Sequence, residues 1–153
     1  TNAKLDVGKN QVIVNYTGSS PVASILASIQ SAYDGGTWDG SGIPSSNAAG
    51  TPGTSLGYVD TGTQVELMYT WTADLNLDGI VNNADLLDMQ GGNGSSWLQG
   101  DLNYDGVKNA DDYSLFLASL AMAGTRNIAN VPEPGVALGL VSVMGLLPRR
   151  RNR

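Results

Sequence analysis

Two stretches of the chain carry oxygen-bearing side chains at a spacing that could do chemistry. Residues 74–85 read Asp-Leu-Asn-Leu-Asp-Gly-Ile-Val-Asn-Asn-Ala-Asp, and residues 101–112 read Asp-Leu-Asn-Tyr-Asp-Gly-Val-Lys-Asn-Ala-Asp-Asp, an internal repeat at an offset of 27. A hard divalent cation such as calcium takes six to eight oxygens at ~2.3–2.6 Å, and a twelve-residue loop supplies them from positions 1, 3, 5, 7, 9 and 12. In the first loop these are Asp74, Asn76, Asp78, the carbonyl of Ile80, Asn82 (directly or through water) and Asp85. In the second they are Asp101, Asn103, Asp105, the carbonyl of Val107, Asn109 and Asp112. Position 6 must turn at positive φ, and Gly79 and Gly106 occupy it. The two loops therefore predict two Ca2+ ions. Each set of three carboxylates leaves one formal negative charge after a divalent ion binds. Magnesium fits less well, since it demands tight octahedral geometry and gives up water reluctantly. Ile80 and Val107, one position past the glycines, are expected to pair their backbones between the loops.

Composition narrows the alternatives. The chain has 153 residues with no Cys and no His. That excludes disulfides, thiolate or imidazole metal sites and Ser-His-Asp or Cys-His catalysis. Any metal must be held by oxygen. Residues 1–134 hold all 14 acids and four of the eight bases, a net charge of −10, which repels nucleic acid and attracts cations. Glu66 and Glu133 are the only glutamates, and neither shows an acid partner at glycosidase spacing. No enzyme is predicted. Trp38, Trp71 and Trp97 are read as core plugs rather than a carbohydrate platform. Asn15-Tyr16-Thr17 and Asn93-Gly94-Ser95 are glycosylation sequons by pattern alone.

The elements that must position the loops can be read from periodicity. Residues 4–7 and 11–16 predict two strands joined at Gly8-Lys9-Asn10, with Val12, Val14 and Tyr16 alternating in the second. Ser20 is a candidate N-cap with Pro21 opening a helix whose apolar face is Val22, Ile25, Leu26, Ile29 and Tyr33. Asp34-Gly35-Gly36 ends it. Residues 35–55 read as loop, pinned by Trp38. Residues 56–59 and 65–71 read as strands. Helical runs follow each loop, at 86–90 and 113–122, and Gly91-Gly92-Asn93-Gly94 ends the first.

Residues 73–120 resemble type I dockerins, whose repeats read Asp-x-Asn-x-Asp-Gly-x-x-Asn-x-x-Asp followed by a helix. Asp at position 12, and a strand running straight into the first loop, fit that family better than ordinary EF-hands. The resemblance implies a pair of EF-hand-type calcium loop-helix motifs and a cohesin-like partner. Positions 10 and 11 are Asn83-Ala84 and Ala110-Asp111. These depart from the hydroxylated pairs that help cellulosomal dockerins select cohesins, so the resemblance speaks more for calcium than for a cohesin.

The tail carries a second resemblance. Val131-Pro132-Glu133-Pro134 precedes an uncharged apolar run, 135–147, and then a basic end at 149–153. This is similar to a PEP-CTERM sorting signal, which implies bacterial export, transient membrane contact and handling by an exosortase. Arginines would hold the end on the cytoplasmic side. Thirteen residues make ~20 Å of helix, short of the ~30 Å hydrocarbon core; a buried or amphipathic segment is the alternative. The chain starts at Thr1 rather than Met, as expected of a processed or partial product.

The expectation is an α+β chain: a small strand-helix-strand unit at 1–71 packed on a dockerin-like calcium pair at 72–124, then a linker and tail at 125–153. Calcium would fold the second unit and fix its orientation. The function expected is that of a calcium-binding, non-enzymatic extracellular or cell-surface structural protein, a subunit or terminal module of a matrix assembly or filament. The alternatives are an adaptor docking to a cohesin-like partner, and the C-terminal part of a larger secreted enzyme.

Overall fold

The computed structural model describes residues 3–128. Its elements are β1 (Gln11–Asn15), α1 (Val22–Tyr33), α2 (Ser46–Gly50), β2 (Thr54–Asp60), β3 (Gln64–Trp71), α3 (Asn83–Gly91) and α4 (Ala110–Ile128), with single 3-10 turns at Asp34–Gly36 and Trp97–Gln99. The fold is α+β. The strands form one antiparallel sheet in the order β1-β3-β2.

Alternation sets the sheet. Val12 lies opposite Leu67, which lies opposite Tyr58, so one face presents a continuous apolar row. Leu56, Tyr58, Val65 and Leu67 on that face are buried, and Ile25 and Ile29 of α1 belong to the same core. Gly57 must face the other way. A Cβ there would lie 2.3 Å from Leu77 Cδ2 and 3.0 Å from Trp97 Nε1, so the missing side chain admits both residues against the strand. β2 is thereby covered on both faces.

One buried cluster draws on both halves of the chain. Val7, Ile29 and Trp38 share it with Leu75, Met89, Trp97, Leu102, Tyr104 and Phe116. Tyr104 stacks on Trp97 with ring centroids 6.0 Å apart and meets Tyr33 and Trp38 edge-on. Trp38 and Trp97 are thus core residues. Ser119 of α4 ties the ends of β2 and β3 together: its hydroxyl accepts from Ala73 N–H at 3.0 Å and donates to the Gly53 carbonyl at 2.7 Å.

Several sequence expectations need correction. Residues 4–7 form no strand with 11–16; Leu5 and Val7 N–H donate instead to the Gly42 and Pro44 carbonyls, at 2.9 and 3.0 Å. β1 finds β3 because that pairing extends the apolar row. Pro21 sits just before α1 rather than in it, with Ser20 Oγ accepting from Val22 N–H at 3.1 Å. Within 35–55 lies α2, capped by Ser45, whose Oγ accepts from Ala48 N–H at 3.1 Å. Five residues are too few to show a helical period. α3 and α4 begin earlier than the apolar runs suggested, because Asn82 and Asn109 cap them. The tail, 135–153, lies outside the described residues. Among those described, no helix is long and apolar enough to cross a membrane.

Candidate metal loops

The two loops share one hydrogen-bonded frame. At position 1, Asp74 accepts from Gly79 N–H and Asp101 from Gly106 N–H, each at 3.0 Å. The position-3 amides, Asn76 and Asn103, each accept the N–H of position 5 at 3.0 Å. Asp78 and Asp105 in turn accept from Ile80 and Val107 N–H, each at 2.8 Å. Position 12 closes the ring. Asp85 accepts from Leu75 at 2.9 Å and Asn82 at 2.8 Å, and Asp112 accepts from Leu102 and Asn109, both at 2.8 Å. The backbone turns are duplicated too. Gly79 and Gly106 have φ of 83° and 86°, and Leu77 and Tyr104, two residues earlier, have φ of 61° and 63°.

These bonds gather the donors around each loop but leave distinct roles. Asp74, Asp85, Asp101 and Asp112 are buried, whereas Asp78 and Asp105 are exposed. Asn82 and Asn109 turn their side-chain oxygens to Ala84 and Asp111 N–H, both at 2.7 Å, so position 9 serves first as a helix cap. Their amide nitrogens reach the Ile80 and Val107 carbonyls, at 3.4 and 3.3 Å. Among the described residues, no group of three or more carboxylates is gathered tightly enough to hold an ion by itself. Amide and carbonyl oxygens must complete any set.

The expected pairing of Ile80 with Val107 does not occur. Their N–H groups are taken by the aspartates of their own loops, and their side chains are 58% and 59% exposed. The repeats are joined differently. Lys108 Nζ reaches from the second loop to the Met89 carbonyl at 2.7 Å and to the Gly92 carbonyl, holding the C-terminal end of α3. Trp97 Nε1 donates to the Asp74 carbonyl at 3.0 Å. The Thr70 hydroxyl donates to Asp74 itself. Sequence reasoning missed the Lys108 and Trp97 contacts, because each joins residues far apart along the chain.

Electrostatics mark the position-1 aspartates. Burial pushes the Asp74 carboxyl above the ordinary carboxylate range, against the Thr70 and Gly79 hydrogen bonds, and the charges of Asp85 and Asp78 push the same way. Asp101 is raised likewise, by burial first, against hydrogen bonding from the Gly106 and Asp105 backbone, with the charges of Asp112 and Asp105 adding to the rise. Burial, followed by the charge of Asp101, also pushes the Tyr58 hydroxyl up to about 12. One atom stands apart: Asp101 Oδ1 is buried without a well-formed hydrogen bond, whereas its counterpart Asp74 Oδ1 accepts from Asp78 N–H at 3.1 Å. An anionic oxygen shut away from water without a donor is unfavourable unless a cation meets it. The donor set around it, all oxygen and with net negative charge, fits a hard divalent ion. Comparison with protein-family models, with curated proteins and with solved structures gives no match. The reading of the loops rests on their own geometry.

Proposed function

We propose that this chain is a calcium-binding, non-enzymatic structural protein of a bacterial surface or matrix assembly, with one ion in each loop. The observation that carries the calcium reading is the duplicated frame that leaves Asp101 Oδ1 buried and unpartnered. The first ion would be held by Asp74, Asn76, Asp78, the Ile80 carbonyl and Asp85, with Asn82 reached through water. The second would be held by Asp101, Asn103, Asp105, the Val107 carbonyl and Asp112, with Asn109 in the water-linked place. Bound there, calcium would neutralise carboxylates that otherwise repel one another, a structural rather than a catalytic role. The extracellular setting rests on the resemblance of the tail to a sorting signal.

Calorimetric titration of the chelator-stripped chain tests this directly. Two ions per chain, in the micromolar-to-millimolar range typical of sensor and extracellular sites, are expected. Absence of binding across that range would reduce both loops to turns and remove the proposal.

The adaptor reading draws some support from exposure. Asn83, Ala84, Ala110 and Asp111, at the positions that select cohesins in dockerins, are all exposed. A cohesin-like partner would be retained by the immobilised chain in calcium and released by chelator.

A further inference from the structure

β1 is an open sheet edge among the described residues, and the register decides which groups it offers. Tyr16 N–H donates to the Thr63 carbonyl at 3.0 Å, and the Asn10 carbonyl accepts from Tyr69 N–H at 3.4 Å. In this register the even-numbered residues turn their backbone groups to β3. Those of Gln11, Ile13 and Asn15 alternate with them and point away from the sheet. All three residues are exposed, Ile13 by 50%. The opposite edge is different. There the outward carbonyl of Leu56 is taken by the Tyr104 hydroxyl at 2.9 Å.

Exposed edges are ordinarily blunted by lysine, proline, a bulge or a covering element. β1 reads Gln-Val-Ile-Val-Asn, with no charge and no proline. We propose that this edge pairs with the same edge of a second copy of the chain, antiparallel about a two-fold axis through Ile13, merging two three-stranded sheets. In that register the Ile13 N–H and carbonyl exchange bonds with Ile13 of the second copy. Gln11 faces Asn15 of the second copy and Lys9 faces its Thr17, so no like charges meet. The Glu66 carboxylate beside Ile13 is engaged by the Gln11 and Gln64 side chains within its own chain. Val12 faces Val14 of the second copy, which prolongs the apolar row of the sheet.

The contact is small. Five residues at ~3.4 Å each give a seam of ~17 Å, and a strand seam of that length buries less than the ~1,000 Å² that a lasting interface clears. Pairing is therefore weak and dependent on concentration, and being two-fold it closes on a pair of chains, which a larger assembly would join through a second contact. The choice of a second copy as occupant rests on the assembly reading above; the openness of the edge does not.

Sedimentation equilibrium of the full chain with saturating calcium, up to ~1 mM where weak contacts register, tests the pairing. Wild type, Ile13→Lys, Ile13→Glu and an equimolar mixture of the two variants are compared. Circular dichroism and calcium calorimetry on each check the fold; position 13 is half exposed, so both variants should retain it. Wild type is expected to associate, each variant to associate at least about tenfold more weakly, and the mixture to recover, because the two-fold sets Lys against Glu. A wild type that stays monomeric while binding two ions overturns the pairing and leaves the calcium reading standing. Variants that associate like wild type, or a mixture no better than either variant, overturn the edge as the surface while self-assembly survives.

Discussion

Asp101 is a carboxylate that folding places out of reach of water and gives too few donors. Because its pKa is raised in the fold, the native chain holds that proton more tightly than the unfolded one. Its contribution to ion-free stability is full below the ordinary value of 3.8 and is lost as pH rises through the raised value. Asp74 behaves the same way. Asp6, Asp39 and Asp60, whose pKa values are lowered, act in the opposite sense and below 3.8. In chelator, wild type should therefore lose stability as pH rises above 3.8 and through the raised values, and Asp101→Asn should show a shallower decline in a urea-denaturation series. The same variant should weaken the second calcium site at least about 100-fold and spare the first. The ligand types and the two glycines were legible in the sequence because loop geometry is a local matter of spacing. The unpartnered oxygen was not, since its burial depends on tertiary packing rather than on local spacing.

The elements were legible where alternation or a helical period runs long enough. β1, β2, β3 and α1 follow from their apolar patterns, whereas α2 is too short, and residues 4–7 carry a strand-like pattern that packing leaves unused. Gly57 shows how packing overrules propensity: glycine weakens a strand, yet here its absent side chain receives Leu77 and Trp97. Gly57→Ala should lower stability by about 1–3 kcal/mol, the usual range for overpacking. Chemical denaturation with and without calcium would measure it. Because Trp97 also bonds the Asp74 carbonyl, the variant should weaken the first loop more than the second.

Across the whole molecule, the sequence suggested two units at 1–71 and 72–124, each with its own pattern. Their joining could not be read, because it depends on contacts such as Tyr104 against Tyr33 and Trp38 that lie far apart along the chain. Leu75, Leu102 and Tyr104 belong to the candidate metal loops and to the common core at once. Thermal unfolding should then be one transition by tryptophan fluorescence and by circular dichroism. Calcium at 100 times its Kd should stabilise the fold by about 2.7 kcal/mol for each site filled, raising Tm without splitting the transition. Two separated transitions would mean that the halves melt independently.

The helix starts and the ion loops are built from the same side chains. Asn82 caps α3 while Asp85 reaches back to the Asn82 N–H and onward to Leu75, and Asn109, Asp112 and Leu102 repeat the arrangement. The same rotamers thus serve the helix cap and the candidate site at once, so any ion that binds in a loop is coupled mechanically to the first turn of the helix that follows it.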